Sequence, residues 1–465
     1  MRVCLLSDSF PPVIDGVANV VTNYAECLTR DRAAAVTVGT PRYPGADYGD
    51  YPYEVVPYPS FDTGALFSGY RTGDPFSPKY LARLADFRPE IIHTHCPAAS
   101  TLLARLLREE TGAPVVFTYH TKYDVDIERV LKVKLAAHEA IRSMIAAVEA
   151  CDEVWTVSRG AGENLEALGY RGAWRVMPNG VDFARGRASE AAVEAATGPY
   201  GLPSGVPVFL FVGRLMTYKG LPLILEALGR LDREGRDFRM VFVGKGPDRE
   251  LLEKQAAQLG IGGKCVFTGP VYDRETLRAW NTRADLFLFP STFDTNGLVV
   301  REAAACGLAS VLIRGSCAAE GAVDGRSAFT VEETPEALAA LLGKVMGDLP
   351  RLREMGQRAM EELYLSWPDC VAMAYERYGA ILEEKKAGRL PEKRKLPADY
   401  LLSLAAKSLE ERERRRRAWA AMLESFRESA VGMMENIQEA ETSAGSLRSR
   451  LREQLKQDPE ERRRR

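Results

Sequence analysis

Phe287-Leu-Phe-Pro-Ser-Thr-Phe-Asp294-Thr-Asn296-Gly297-Leu298-Val-Val-Arg-Glu302-Ala-Ala-Ala-Cys-Gly307 decides how the rest of the chain is read. Ala284 to Phe289 is an apolar strand, and Pro290, which has no N–H for a ladder, ends it. Ser291 to Asn296 is a polar loop, and Gly297 permits close backbone approach. Leu298 to Ala305 reads as a helix that Gly307 stops. A loop between a strand and a helix N-terminus is where α/β proteins take anionic ligands. Asp294 and Glu302, eight positions apart, frame this loop and can accept hydrogen bonds from two sets of hydroxyls. Taken alone, the pair is more simply a solvated acid and a helix-face acid.

Working outward, strands and helices alternate on both sides. Arg2 to Ser7 reads as a strand, Asp8 to Gly16 as a loop and Val17 to Arg30 as a helix. Further strands are expected at Ile91-Ile92-His93-Thr-His95, Pro114 to His120, Glu153 to Val157 and Trp174 to Met177, with Pro178-Asn179-Gly180 turning the chain away. Residues 184–206, rich in Ala, Gly and Pro, read as a linker. A second series follows: strand Val208 to Val212, loop Gly213-Arg214-Leu-Met-Thr-Tyr-Lys219-Gly220, helix Leu221 to Leu231, then strand Met240 to Val243 ending at Gly244. Repeated β-then-α units imply parallel sheets with right-handed crossovers.

The composition bounds the class. With 465 residues, 46% hydrophobic and 27% charged, the chain has room for two or three domains with their own cores. No run of eighteen apolar residues occurs, the N-terminus lacks the long apolar core of a signal peptide, and the eight cysteines are scattered without CxxC pairs. The expectation is a cytoplasmic protein with reduced core thiols. From Lys386 onward there are 20 Lys and Arg against 14 Asp and Glu, a net of +6. The preceding residues carry 42 against 50, a net of −8. An acidic body therefore carries a basic tail, in which Trp419, Met422, Leu423, Phe426, Met433 and Ile437 recur at helical spacing.

Several residues are suited to chemistry. Arg214 and Lys219 flank a loop leaving a strand and can meet a diphosphate, one by its planar fork and the other as a point charge. Gly16 opens a helix N-terminus, a weak signal by itself. His120 ends a strand in Thr118-Tyr-His120-Thr-Lys-Tyr; a lone histidine there is more often a capped core residue. His93 and His95 could bind an acceptor or be structural, the structural reading being the better supported, and they are read as pointing to opposite faces of their strand rather than forming a metal pair. Asp124-Val-Asp126 is a D-x-D that a divalent cation could use, but two acids so spaced are common by chance.

Together these motifs resemble the family 4 retaining glycosyltransferases. Asp294 and Glu302 match the family's paired acids, with Asp in place of the usual first Glu. Gly-Arg-Leu-x-x-x-Lys-Gly resembles its donor-phosphate motif, and the His120 segment its first-domain histidine motif. Asp15-Gly16-Val17 resembles its first glycine loop, with Asp15 as a second departure. The resemblance spans residues 1–385 and implies an α/β GT-B fold, two facing Rossmann-like domains with a parallel sheet each, at 1–183 and 207–366. A helix over 367–385 crosses back to the first domain, and a basic helical extension occupies 386–465.

The activity implied is transfer of a hexose from a nucleotide-diphosphate sugar to an acceptor hydroxyl. The roles carried over are Arg214 and Lys219 on the diphosphate, Asp294 on the sugar, Glu302 on the ribose and His120 facing the donor sugar. Gly16, Gly244, Asn296, Gly297 and Leu298 complete the substrate-binding set. No cofactor, no required metal and no nucleic-acid partner are expected. The variant Thr-Tyr-His-Thr with Asp-Thr-x-Gly-x-Val-Val looks most like enzymes that glycosylate diacylglycerol. A lipid acceptor at the inner membrane face is thus one expectation, and self-association through the tail is another. The alternatives are a phosphorylase or sucrose-synthase-like reaction on the same fold, or a non-catalytic sugar-nucleotide-binding protein.

Overall fold

A computed structural model describes residues 1–62, 71–124, 127 and 134–390, with scattered positions between 408 and 452. The chain divides into two compact units, Met1–Ser403 and Leu404–Arg465. The first unit holds two parallel sheets. One contains β1 (Arg2–Leu6), β2 (Ala35–Pro41), β3 (Glu54–Tyr58), β6 (Ile91–Thr94), β7 (Val115–Tyr119), β8 (Glu153–Thr156) and β9 (Arg175–Val176), in the order β3-β2-β1-β6-β7-β8-β9. A short antiparallel pair, β4 (Ser60–Asp62) and β5 (Arg71–Gly73), stands apart. Helices α1 (Gly16–Asp31), α2 (Pro78–Asp86), α3 (Ala99–Thr111), α4 (Lys134–Glu149) and α5 (Arg159–Ala167) belong to this half.

The second sheet contains β10 (Val208–Val212), β11 (Arg239–Val243), β12 (Cys265–Gly269), β13 (Leu286–Phe289), β14 (Ser310–Ile313) and β15 (Phe329–Val331), ordered β12-β11-β10-β13-β14-β15. With it go α6 (Glu190–Thr197), α7 (Leu221–Arg233), α8 (Arg249–Gln258), α9 (Arg274–Arg283), α10 (Leu298–Ala305), α11 (Pro335–Val345) and α12 (Leu349–Glu362), and α13 (Trp367–Lys386) follows. The central strands are apolar along their length because helices cover both faces. β13, Leu-Phe-Leu-Phe, is buried at every position. In each sheet the strand order reverses between two neighbours, β1 and β6 in the first and β10 and β13 in the second. The loops that leave those strands open onto the crevice where doubly wound sheets bind ligands.

The stretch 184–206 is more ordered than its composition suggested. It contains α6, which packs against α9 of the second domain. Alanines, which cost little helix propensity, and Ser189, which caps α6 by accepting from Ala192 N, give it a helix rather than a free tether. Asp15 has a similar structural account: its carboxylate accepts from Ala18 N at 2.7 Å and caps α1. None of the eight cysteines is paired, and all but Cys265 are buried.

α13 returns to the first domain. Its Trp367, Cys370, Val371, Ala374, Tyr378 and Ile381 join the core built from β1, β2 and α1. Tyr378 stacks on Trp155, and Arg377 binds Glu153 at 2.5 Å. The two strands of chain linking the domains run side by side, with Val181 N donating to Leu365 O at 2.9 Å. A Cβ on Gly180 would sit 2.6 Å from the backbone of Trp367, too close without moving α13.

In the second unit, Trp419 and Met422 are helical and exposed. Leu423, Phe426, Met433 and Ile437 of the expected amphipathic helix lie outside the described residues. Among the described residues no helix is long and apolar enough to cross a membrane.

The close approach at Gly180 makes a stability test. Gly180→Ala should lower the denaturant midpoint by the equivalent of about 1–3 kcal/mol, the usual cost of overpacking. A midpoint equal to wild type would show that the paired crossing segments do not constrain the fold.

Candidate active site

The loops after β10 and β13 meet because those strands are neighbours. Lys219 Nζ lies 2.5 Å from Asp294 Oδ1, and Ser291 Oγ donates to Asp294 Oδ2 at 2.5 Å. Both charges are largely shielded, with 13% and 22% of their side-chain surfaces exposed. The rings of Tyr218 and Phe293, 4.7 Å apart, flank the ammonium, whose nitrogen is 5.7 Å from each. Arg214, on the same loop as Lys219, is exposed and forms no ion pair within the described residues. Lys219 and Asp294 are thus brought together, while Arg214 makes no ion pair with Asp294 among the described residues.

Two of the expected glycines have backbone reasons. Gly244 has φ +149°, and a Cβ there would fall 1.9 Å from Gly213 O, so only glycine lets the two loops cross. Gly297 has φ +62° and precedes α10, whose first turn has no side-chain cap. Leu298 begins that helix, half-buried. The start of α10 thus carries no side-chain cap, and a helix N-terminus of that kind is suited to an anion. Asn296 donates to Val157 O at 2.5 Å, while its buried Oδ1 has no partner. Gly16 begins α1 with open space around it.

Glu302 is placed differently from Asp294. On α10, it is largely shielded, with 14% of its side-chain surface exposed, and bound to Arg274 Nη2 at 2.7 Å. Burial raises its pKa, and Arg274 opposes that rise. Each acid of the pair therefore has its own cation. Arg274 has no signal in the sequence, since a basic residue at the start of a helix after a loop is ordinary surface charge.

In the first domain His93, His95 and His120 form one buried group. His93 and His95 were expected on opposite faces, but side chains two apart on a strand share a face. Their ring centroids are 4.0 Å apart. His93 bonds Tyr378 OH at 2.6 Å and Thr118 Oγ1 at 2.7 Å. His95 Nδ1 meets His120 Nε2 at 3.0 Å, with the rings stacked. Burial depresses all three: His120 to about 3, and the other two well below the ordinary histidine value. His95 Nε2 and His120 Nδ1 are buried without partners. Asp124 Oδ1 is likewise buried and unpartnered, and Asp126 lies outside the described residues. Among the described residues no group of three His, Cys, Asp or Glu side chains is arranged to hold a metal.

The domains touch through the same loops. Thr295 donates to His120 O at 2.5 Å, and Lys122 Nζ to Thr292 O at 3.1 Å. Glu320, in a loop to which sequence reasoning assigned no part, accepts from Arg159 N at 2.7 Å and Gly160 N at 2.6 Å. A carboxylate from the second domain thus caps α5 of the first, next to Ser158, which accepts from Ala161 N. A Cβ on Gly160 would come within 2.6 Å of Cys317 Sγ, a measure of how closely the halves approach.

Comparison with known proteins agrees with this geometry. Residues 14–185 match the model of Glycosyltransferase Family 4, and residues 194–362 that of Glycosyl transferases group 1. The D-inositol 3-phosphate glycosyltransferase of Nocardia farcinica is 30% identical over 68% of this chain and 72% of its own length. The alpha-monoglucosyldiacylglycerol synthase of Streptococcus pneumoniae is 25% identical over 66% and 70%. Among solved structures, Anabaena HepE in complex with UDP superposes with a TM-score of 0.64 at 16% identity, covering 82% of this chain and all of that one. Two Rossmann-like domains joined through these loops define a GT-B glycosyltransferase. The chain belongs to glycosyltransferase family 4.

The contacts between domains make a second test. Glu320→Ala removes two charge-assisted hydrogen bonds at the domain boundary and should favour an open arrangement. The radius of gyration in solution should rise, and the donor KM should rise several-fold with the fold intact. A radius and KM equal to wild type would show that Glu320 does not hold the domains closed.

Proposed function

We propose that this glycosyltransferase moves a hexose, with retention, from a nucleotide-diphosphate sugar to an acceptor hydroxyl. The observation that carries the reading is the Lys219–Asp294 pair at the switch point of the second sheet, beside the uncapped start of α10. One ammonium there faces both an acid suited to sugar hydroxyls and a place suited to a diphosphate. As the bond to the sugar breaks, negative charge grows on the diphosphate, and Lys219 with Arg214 stabilises it. Asp294, steadied by Ser291, orients the sugar, and Glu302 takes the ribose hydroxyls. His120 and Gly16 border the donor from the first domain. Retention follows from a same-face displacement, in which a leaving phosphate oxygen takes the acceptor proton.

A lipid hydroxyl is the acceptor class we favour. The pneumococcal relative is named for a glycosyldiacylglycerol product, and residues 386–465 carry a net of +6. Basic residues near an anionic leaflet contribute about 1 kcal/mol each. Deleting 386–465 should abolish salt-sensitive sedimentation with anionic liposomes. Unchanged liposome binding, with a dimer falling to monomer, would assign the tail to self-association.

The donor assignment is tested by kinetics. Lys219→Ala should cost roughly 3 kcal/mol or more of barrier, a hundredfold or greater fall in turnover. Asp294→Asn should lower turnover more than it weakens UDP or GDP binding. The wild-type enzyme should keep its activity in EDTA. Turnover of Lys219→Ala within threefold of wild type would overturn the assignment, and EDTA-sensitive activity restored by Mn²⁺ would promote Asp124 and Asp126 to ligands.

A further inference from the structure

Arg274 stands where the donor acid Glu302, the connection between the domains and the first helix of the first domain come together. It is the first residue of α9, after the capping residue Asp273. Its Nη2 lies 2.7 Å from Glu302 Oε1 and 3.5 Å from Asp182 Oδ2. Asp182 belongs to the connection and accepts from Asn19 of α1 at 3.3 Å. The guanidinium carbon lies 4.3 Å over the ring of Phe183, which is itself buried, so the fork is clamped in orientation. Arg274 Nε is buried and has no partner. A buried donor left unpaired costs about 1–3 kcal/mol, and such costs collect at functional sites. Among the described residues, Glu302 Oε2 has no hydrogen-bond partner.

We propose that Arg274 is a positioning residue for the nucleotide half of the donor: it fixes Glu302 through Oε1 and leaves Oε2 for the ribose hydroxyls. This rests on the reading of Glu302 as the ribose acid. Arg274 also ties that acid to Asp182 and, through Asp182, to Asn19 on α1. The nucleotide site and the domain connection thus share one cation. The groups that act on the Glu302 carboxyl are Arg274 from α9, which favours the charged form, and Asp182 from the connection, which disfavours it. Cys306, one turn along α10, is a further titratable neighbour, with its thiol pushed up to about 12 and therefore neutral. β13, β14 and α12, which also pack on α10, place no charge against Glu302 among the described residues. Burial already holds the carboxyl above the ordinary range. Without the guanidinium it would take a proton at still higher pH and lose an acceptor as pH falls.

The test is calorimetric titration of the full chain with UDP and with GDP, from about pH 5.5 to about pH 8.5, a range reaching above the ordinary carboxylate values. Wild type, Arg274→Gln, Arg274→Lys and Glu302→Gln are compared as ratios to wild type, which cancels the nucleotide's own titration. Arg274→Gln should bind about tenfold more weakly at neutral pH, the loss of one charge-assisted contact. That deficit should grow as pH falls and shrink as pH rises. Arg274→Lys, which keeps the charge without the fork, should bind moderately more weakly with a ratio independent of pH; it carries the test if the Gln variant fails to fold. If Glu302→Gln weakens binding while Arg274→Gln matches wild type at every pH, the role of Arg274 is overturned and that of Glu302 stands. A pH-independent deficit in Arg274→Gln would likewise overturn it, as mere structural loss. If Glu302→Gln binds UDP and GDP like wild type, the ribose reading itself falls.

Discussion

An ammonium and a carboxylate 2.5 Å apart, Lys219 and Asp294, lie on different loops, and only the order of the sheet brings them together. β10 and β13 are sequence-distant but adjacent, and the chain leaves both at the same end. An ion pair of this partial exposure contributes little net stability, because desolvation offsets much of the attraction. Removing one partner leaves the other charge unpaired in a shielded place. The pair is therefore better understood as a constraint on where a ligand's charge can sit than as a strut of the fold.

The rest of the site depends on that placement. Gly244 lets the loops after β10 and β11 cross at a distance no side chain would permit. α10 begins just after Asp294 and carries Glu302, so one loop-helix unit presents an acid at its start and another within it. The same loop supplies Thr295 and Asn296, whose side chains bind carbonyls of His120 and Val157 in the first domain. The geometry of the loop after β13 and the approach of the two domains are thus set by the same residues.

The fold was legible in the sequence because its signals are local. Buried parallel strands read as short apolar runs, and each is punctuated by a glycine, proline or capping residue. Lys219 could be singled out from one contiguous stretch, and Asp294 with Glu302 from another, although only the sheet order brings the two stretches together. Arg274 and Glu320 could not be, since each acts on a partner far away in sequence and looks like surface charge where it stands. The histidines show a different failure. Period two places His93 and His95 on one face, and overlooking it hid a stacked group that only β6 and β7 pairing could complete with His120. Segment 184–206, read as a linker, contains α6 because its alanines favour helix.

The histidine group also limits where positive charge can come from. Three imidazoles packed in one buried group, two of them hydrogen-bonded to each other and all depressed by burial, are neutral near pH 7. Charging one would bury a cation beside two like-disposed rings, with no acid among its hydrogen-bond partners. The contact between His95 and His120 needs one N–H and one lone pair, which two neutral rings supply and two charged rings cannot. The first domain can therefore offer a diphosphate sugar hydrogen bonds and shape at this point, but not an imidazolium. On the proposed reading, positive charge for a leaving diphosphate comes from Lys219 and Arg214 rather than from these rings.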